Sequence, residues 1–240
     1  MNARGNILPA ERLDAFRQAA QGRDAAGLLQ LALKEAFPGR TAIVSSFGAE
    51  SAVLLHLAAA IDPDTPVLFV NTGKLFGETL RYRDRLQQAL GLGDVRSIGP
   101  NGREVAATDP GENLWSRDPD GCCGLRKVVP LQKALAGFDA QVTGRKRFQT
   151  RARAAMDKVE YFDSRFRFNP LADWGPDEVA AYLIRHGLPQ HPLVEDGFLS
   201  IGCQPCTRRV QAGEGMRSGR WPGQDKDECG IHGEQDVGLR

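Results

Sequence analysis

At 240 residues, with 41% hydrophobic and 25% charged residues, the chain has the size and balance of one globular domain with a sizeable core. A formal net charge of +1 gives no global field toward nucleic acid or a lipid surface, and no apolar run approaches the length of a bilayer span. No N-terminal stretch has the charged, apolar and small-residue regions of a signal peptide, so the expected compartment is the cytoplasm, where structural disulfides among the five cysteines are disfavoured.

Taken in order, residues 9–36 read as helical, with Leu13, Phe16, Ala20, Leu28, Leu29, Leu31 and Leu33 on the apolar face and Gly22 and Gly27 dividing the stretch into two helices. Thr41 to Val44 reads as a short buried strand that runs into Ser45-Ser46-Phe47-Gly48-Ala49-Glu50-Ser51, followed by a helix from Ala52 to Ala60. Pro66 to Val70 is a second buried strand ending at Asn71-Thr72-Gly73, with a helix from about Gly77 to Leu90 behind it. Asp94 to Ile98 and Ala140 to Thr143 are the third and fourth strand candidates. Pro176-Asp177-Glu178-Val179 after Trp174 predicts a helix start, with Val179, Tyr182 and Leu183 facing the core. His56 lies on an apolar helix as a packing residue, His186 before Gly187 closes a helix, and His191 is given no role. Strands alternating with helices predict an α/β fold: a mostly parallel twisted sheet with helices on both faces, whose ligands bind beyond the carboxyl ends of the strands. The predicted organisation is one nucleotide- and cluster-binding α/β domain over 1–211 and a flexible, glycine-rich catalytic tail over 212–240.

Three constellations carry chemistry. A strand, a turn with small hydroxyl residues and Gly48, then a helix, makes an anion cradle from free N–H groups; it is neither a Walker loop nor a dinucleotide fingerprint. Four cysteines fall into two pairs, Cys122-Cys123 and Cys203-Gln204-Pro205-Cys206. Soft thiolates select zinc, copper(I) or iron–sulfur, and the vicinal pair departs from the spacing of structural zinc ligands. A cubane fits that pair if a helix starting at Cys123 offers N–H groups to the sulfides, with Arg126 and Lys127 offsetting the charge. The fifth cysteine, Cys229, sits in Glu228-Cys229-Gly230-Ile231-His232, a glycine-flanked thiol with a histidine three residues on, and reads as a nucleophile activated by cations met when the tail closes. Two basic runs, Arg145 to Arg153 and Arg208 to Arg220, supply such cations.

These motifs together resemble the assimilatory adenylyl-sulfate and phosphoadenylyl-sulfate reductases. The resemblance rests on Ser45–Ser51, Val70–Gly73 with Phe76–Thr79, Cys122–Lys127, Thr143–Arg147, Cys203–Cys206, Arg217–Trp221 and Glu228–His232, in family order over about residues 41–232. It implies an adenine-nucleotide alpha-hydrolase-like fold and, through the complete cysteine set, the branch with a [4Fe-4S] cluster on Cys122, Cys123, Cys203 and Cys206 that uses adenylyl sulfate. The implied reaction is two-electron reduction of that substrate to sulfite and AMP, in sulfate assimilation and cysteine biosynthesis. The implied catalytic residues are Cys229, His232 and Lys127; the implied substrate contacts are Ser45, Ser46, Gly48, Asn71, Thr72, Gly73, Arg151, Arg217 and Arg220. Where the family commonly has Asp-Thr-Gly this chain has Asn71-Thr72-Gly73, and the basic loop after Gly144 is short, so Arg151 is the chosen sulfate contact and Arg147 the fallback. Thioredoxin or glutaredoxin is the expected reductant, acting in trans, and a homo-oligomer without nucleic-acid or membrane partners is expected. Alternatives are a phosphoadenylyl-sulfate or dual-substrate reductase, an ATP pyrophosphatase relative, which would not need Glu228–His232, and a zinc or cluster redox sensor, which would not need the nucleotide loop.

Overall fold

A computed structural model describes residues 9–224, 226 and 228–231. Its centre is a six-stranded sheet ordered β3-β2-β1-β4-β6-β5, with β1 Thr41–Ser45, β2 Val67–Val70, β3 Val95–Ile98, β4 Ala140–Thr143, β5 Val159–Phe162 and β6 Arg165–Phe168. All neighbours run parallel except β5 against β6. Strands β1, β2 and β4 are buried at every residue, as strands covered on both faces must be, and this explains the unbroken apolar run Val67–Val70 of β2.

The pleat divides the core. Ile43, Val67, Phe69 and Val142 face a cluster built with α2 (Ala25–Gln30), α3 (Ser51–Ala59) and α4 (Gly77–Leu90). Ala42, Val44, Leu68 and Val70 face Leu131 and Leu135 of α8 (Val129–Leu135) on the other side. Burial at about 25 cal/mol per Å² of apolar surface drives both clusters. Among the described residues no helix is long and apolar enough to cross a membrane.

The four expected strands are present, each within one residue of its expected bounds. The first helical stretch breaks at Gly22, whose φ of +70° suits glycine, after α1 (Pro9–Ala19). Gly27 does not break it: its N–H donates to the Asp24 carboxylate that caps α2, and the helix continues as a π-helical turn over Leu31–Ala36. The β5–β6 hairpin was not anticipated. Its turn residues Asp163 and Ser164 both have positive φ, the geometry that matches strand twist in a two-residue hairpin. The helix expected at Pro176 runs Pro176–Arg185 (α9) and buries Val179.

Two corrections bear on the cysteines and the histidines. No helix starts at Cys123. Asp118 caps a helix that begins at Pro119, accepting from the Gly121 N–H, so Cys122 and Cys123 sit in its last turn (α7, Pro119–Cys123) and the chain continues as a π-helix over Gly124–Val128. Helix-start N–H groups therefore do not surround this pair. His191, given no role, is fully buried: Nε2 lies 3.0 Å from Thr79 Oγ1 and Nδ1 accepts from the Leu193 N–H, so it ties the chain after α9 to α4. Burial draws its pKa down to about 4, which keeps it neutral at physiological pH.

Candidate active site

Strand β1 has β2 on one side and β4 on the other, so the connections that follow β1 and β4 at their carboxyl ends run to opposite sides of the sheet. A crevice opens at such a reversal. Here it is a cavity of about 580 Å³, lined by most of the loop Ser45–Ser51, by Gly144, Arg145, Lys146, Phe148, Gln149 and Arg153 after β4, by 199–203, and by most of 215–221 with Glu228, Cys229 and Ile231.

The β1 loop is built as the sequence suggested. Ser45 Oγ accepts from the Phe47 N–H, and Phe47, at φ 49° and fully buried, packs edge-on against Phe69. This pins the turn while Ser46 and Gly48 line the cavity. A Cβ on Gly48 would stand 3.3 Å from the Ile201 carbonyl, so glycine permits the close approach. Of Asn71, Thr72 and Gly73, Thr72 lines the cavity. Asn71 Oδ1 accepts from the Gly73 N–H, and Gly73 takes a φ of +73°, so these two shape the turn. Thr72 Oγ1 lies 3.2 Å from Cys203 Sγ, and its carbonyl accepts from Arg126 Nη1 at 3.1 Å, which joins this loop to the cysteine-bearing segments.

Six cations and two carboxylates line the cavity among the described residues: Lys127, Arg145, Lys146, Arg153, Arg217 and Arg220 against Glu50 and Glu228. Lys146 is 2% exposed and donates to Glu50 at 2.8 Å; Arg145 pairs with Glu160 behind the sheet edge. Burial, with the like charges of Arg220 and Arg153, draws the Arg217 pKa down to about 10. Burial also opposes the Lys127 ammonium, but the negative charge that the neighbouring sulfurs of Cys203, Cys229 and Cys123 carry when ionised outweighs it and raises its pKa. Arg220 lies 4.3 Å over the Trp221 ring, and its Nε has no hydrogen-bond partner among the described residues. This is a surface of concentrated positive charge with low solvent access, the setting in which an anionic ligand gains most.

Arg151, the chosen sulfate contact, is exposed and does not line the cavity; the fallback Arg147 turns away to Asp173 and the Met156 carbonyl. Two successive 3₁₀ turns, Arg147–Gln149 and Arg151–Arg153, rotate Arg153 inward instead. Sequence spacing carries no signal for that rotation. His232 lies outside the described residues.

Cys122, Cys123, Cys203 and Cys206 are all buried, unpaired, and gathered on a second, narrow cavity with Arg126, Lys127 and Trp115. Burial raises the pKa of Cys123 to about 11 and pushes Cys122 and Cys206 up as well. Beneath them Arg126 donates to Asp109 at 2.8 Å, a buried pair that anchors the segment. Among the described residues no three His, Cys, Asp or Glu side chains converge closely enough to hold one metal ion. The donor set nonetheless suits a thiolate-bound centre: four soft donors from two pairs, shielded from water, with two cations to offset their charge.

Arg220, Trp221, Cys229 and Ile231 pack against the body. Thr207 pairs with Arg220, the Trp221 N–H donates to the Cys206 carbonyl, and Trp221 is 1% exposed against Cys203 and Cys206. Cys229, half-buried, joins that cluster, and Ile231 packs on the α8 side of the sheet. Cys229 thus lines the first cavity while packing with Cys203 and Cys206, and Lys127 lines both cavities.

The phosphoadenosine phosphosulfate reductase domain model matches residues 40–209. The adenosine 5'-phosphosulfate reductase of Mesorhizobium japonicum is 50% identical over 205 residues, covering 85% of this chain and 81% of that protein. A phosphoadenosine 5'-phosphosulfate reductase of Gloeobacter violaceus is 40% identical over 203 residues, with 82% and 83% covered. The fold is shared with a solved phosphoadenylyl-sulfate reductase of Candida auris in its phosphate complex, at a TM-score of 0.71 and 24% identity over 85% of this chain and 99% of that one. A family model spanning well over half of the residues, and relatives of this similarity over most of their length, establish that the chain belongs to the phosphoadenosine phosphosulfate reductase domain family.

Proposed function

We propose that this chain is a cytoplasmic adenylyl-sulfate reductase that works through a Cys229 thiosulfonate. The carrying observation is that Cys229 and Lys127 line the same cation-rich cavity as the β1 nucleotide loop. The Cys229 thiolate attacks the sulfur of the sulfate group; an S–S bond forms, the S–O bond to the phosphate breaks, and AMP leaves. A thiolate approaching a sulfate brings like charges together, and Lys127, Arg217 and Arg220 offset that repulsion. A redoxin dithiol, from thioredoxin or glutaredoxin, then attacks Cys229 Sγ and releases sulfite. Its second thiol resolves the mixed disulfide, so the two electrons come from the dithiol. Residues 212–240 are the catalytic tail that carries Cys229 in this scheme. Ser45, Ser46 and Gly48 cradle the nucleotide phosphate, with Thr72 at the same cavity and Asn71 and Gly73 holding the turn.

Cys122, Cys123, Cys203 and Cys206 would hold a [4Fe-4S] cluster, which would supply a fixed charge beside Lys127. Adenylyl sulfate is favoured over the 3′-phosphorylated substrate by the complete cysteine set. The name of the Gloeobacter relative makes the second substrate a necessary comparison. Incubation with each substrate and no redoxin tests both points. Adenylyl sulfate is expected to leave one SO₃ adduct on Cys229 and release one AMP, and to react with the higher kcat/KM when thioredoxin is added. Sulfite release by Cys229→Ser, or an adduct on another cysteine, would sink the mechanism.

A further inference from the structure

The residue before the proposed nucleophile is held by a set of contacts that the reaction scheme does not use. Glu228 keeps 18% of its side chain exposed. Arg153 Nη2 donates to one carboxylate oxygen at 2.7 Å and Arg153 Nε approaches the other to 2.5 Å. Thr150 Oγ1 donates at 3.0 Å, and Arg217 stands 4.0 Å away. Both Arg153 and Thr150 belong to the loop after β4, across the crevice from the Cys203–Cys206 segment on which Cys229 packs. Arg153 is itself fixed from behind by Gln149, which also donates to Glu50. Burial works against the Glu228 charge, yet the hydrogen bond and charge of Arg153, backed by Arg217 and Thr150, hold its carboxyl below the ordinary range.

We infer that Glu228 is the positioning residue for Cys229: its pairing with Arg153 and Thr150 latches the tail across the crevice and fixes the thiol at the cavity. The inference rests on the proposed role of Cys229 but is tested apart from it. Cys229 is bracketed by a polar anchor at Glu228 and an apolar one at Ile231, and its own side chain contributes only a half-buried contact. A partly exposed, charge-assisted pair is strong enough to set a geometry and weak enough to be broken each turnover, which a thiol serving two partners requires.

The experiment follows Cys229 in the resting protein by its rate of alkylation with iodoacetamide, in Glu228→Gln, in Arg153→Gln and in the charge-exchanged Glu228→Arg/Arg153→Glu double variant. Losing the latch opens the tail, so both single variants are expected to alkylate about tenfold faster or more, the loss of one charge-assisted bond, and the double variant is expected to recover the slow rate. A through-space effect on the thiol acts oppositely in the two singles, because one removes a negative and the other a positive charge near it; opposite changes, or no change, overturn the latch. Single-turnover adduct formation on adenylyl sulfate adds the catalytic readout. Glu228→Gln is expected to slow the rate at saturation with little change in half-saturating concentration. A lowered half-saturating concentration at unchanged rate would instead make Glu228 a competitor of the substrate and overturn the proposal. If wild type forms no adduct at all, the reaction scheme fails while the alkylation rates still decide the latch.

Discussion

Replacing Glu50 by glutamine keeps the shape at the start of α3 and removes one charge. Lys146 is left 2% exposed with an ammonium that retains the Gly144 carbonyl at 3.1 Å but loses its carboxylate at 2.8 Å. Breaking a buried pair from one side costs about 3–5 kcal/mol, and because Glu50 keeps 16% of its side chain exposed the lower end applies, about 3 kcal/mol. For a domain of this size about 3 kcal/mol is a loss of roughly 6–12 °C in Tm. The sign of the pH dependence follows from Lys146, whose pKa burial already lowers below 10.5 despite Glu50. The folded state therefore binds this proton less tightly than the unfolded chain. The resulting penalty is full below the folded pKa and relieved as pH rises through it toward the unfolded value. Without Glu50 the folded pKa falls further, so the deficit of Glu50→Gln is expected to be largest near neutrality and to shrink toward pH 10. Adding Lys146→Met removes the uncompensated charge and is expected to restore part of the loss. Thermal and urea unfolding at pH 7 and pH 10, with iron content matched, measure this. A neutral-pH loss under about 1 kcal/mol, a deficit that does not shrink with pH, or a double variant no more stable than the single would refute the reasoning.

Cys123→Ser is expected to lower bound iron and bleach visible absorbance; full iron retention would remove Cys123 from the ligand set. Arg217→Ala and Arg220→Ala are each expected to lower kcat/KM by roughly 1.5–3 kcal/mol, on the order of ten- to a hundredfold, while leaving iron content intact. Unchanged kinetics in both would mean that this segment does not meet the substrate. Arg153→Ala is expected to impair turnover and Arg151→Ala to stay within about twofold of wild type, since Arg153 lines the cavity and Arg151 is exposed. The reverse order would make Arg151 the arginine of this loop that serves turnover.

The sequence by itself determined the α/β alternation, four of the six strands, the two loops at their carboxyl ends, and the grouping of the cysteines into two pairs and a remainder. These are local signals: unbroken apolar runs such as Val67–Val70, and motif spacings such as Cys203-Gln204-Pro205-Cys206, survive without any knowledge of packing. The β5–β6 hairpin escaped because its turn is Asp163-Ser164, without the glycine that usually marks such a bend. Tertiary structure alone decided which cation faces the ligand cavity. Arg147, Arg151 and Arg153 are chemically equivalent on paper, and two 3₁₀ turns select the last. It also decided the places of Trp221 and Glu228, from a stretch polar and glycine-rich on paper: Trp221 fills the space against Cys203 and Cys206, and Glu228 meets Arg153 at a separation of 75 residues. Long-range pairing of this kind depends on where folded elements bring two segments together, and a single chain of letters does not encode that distance locally.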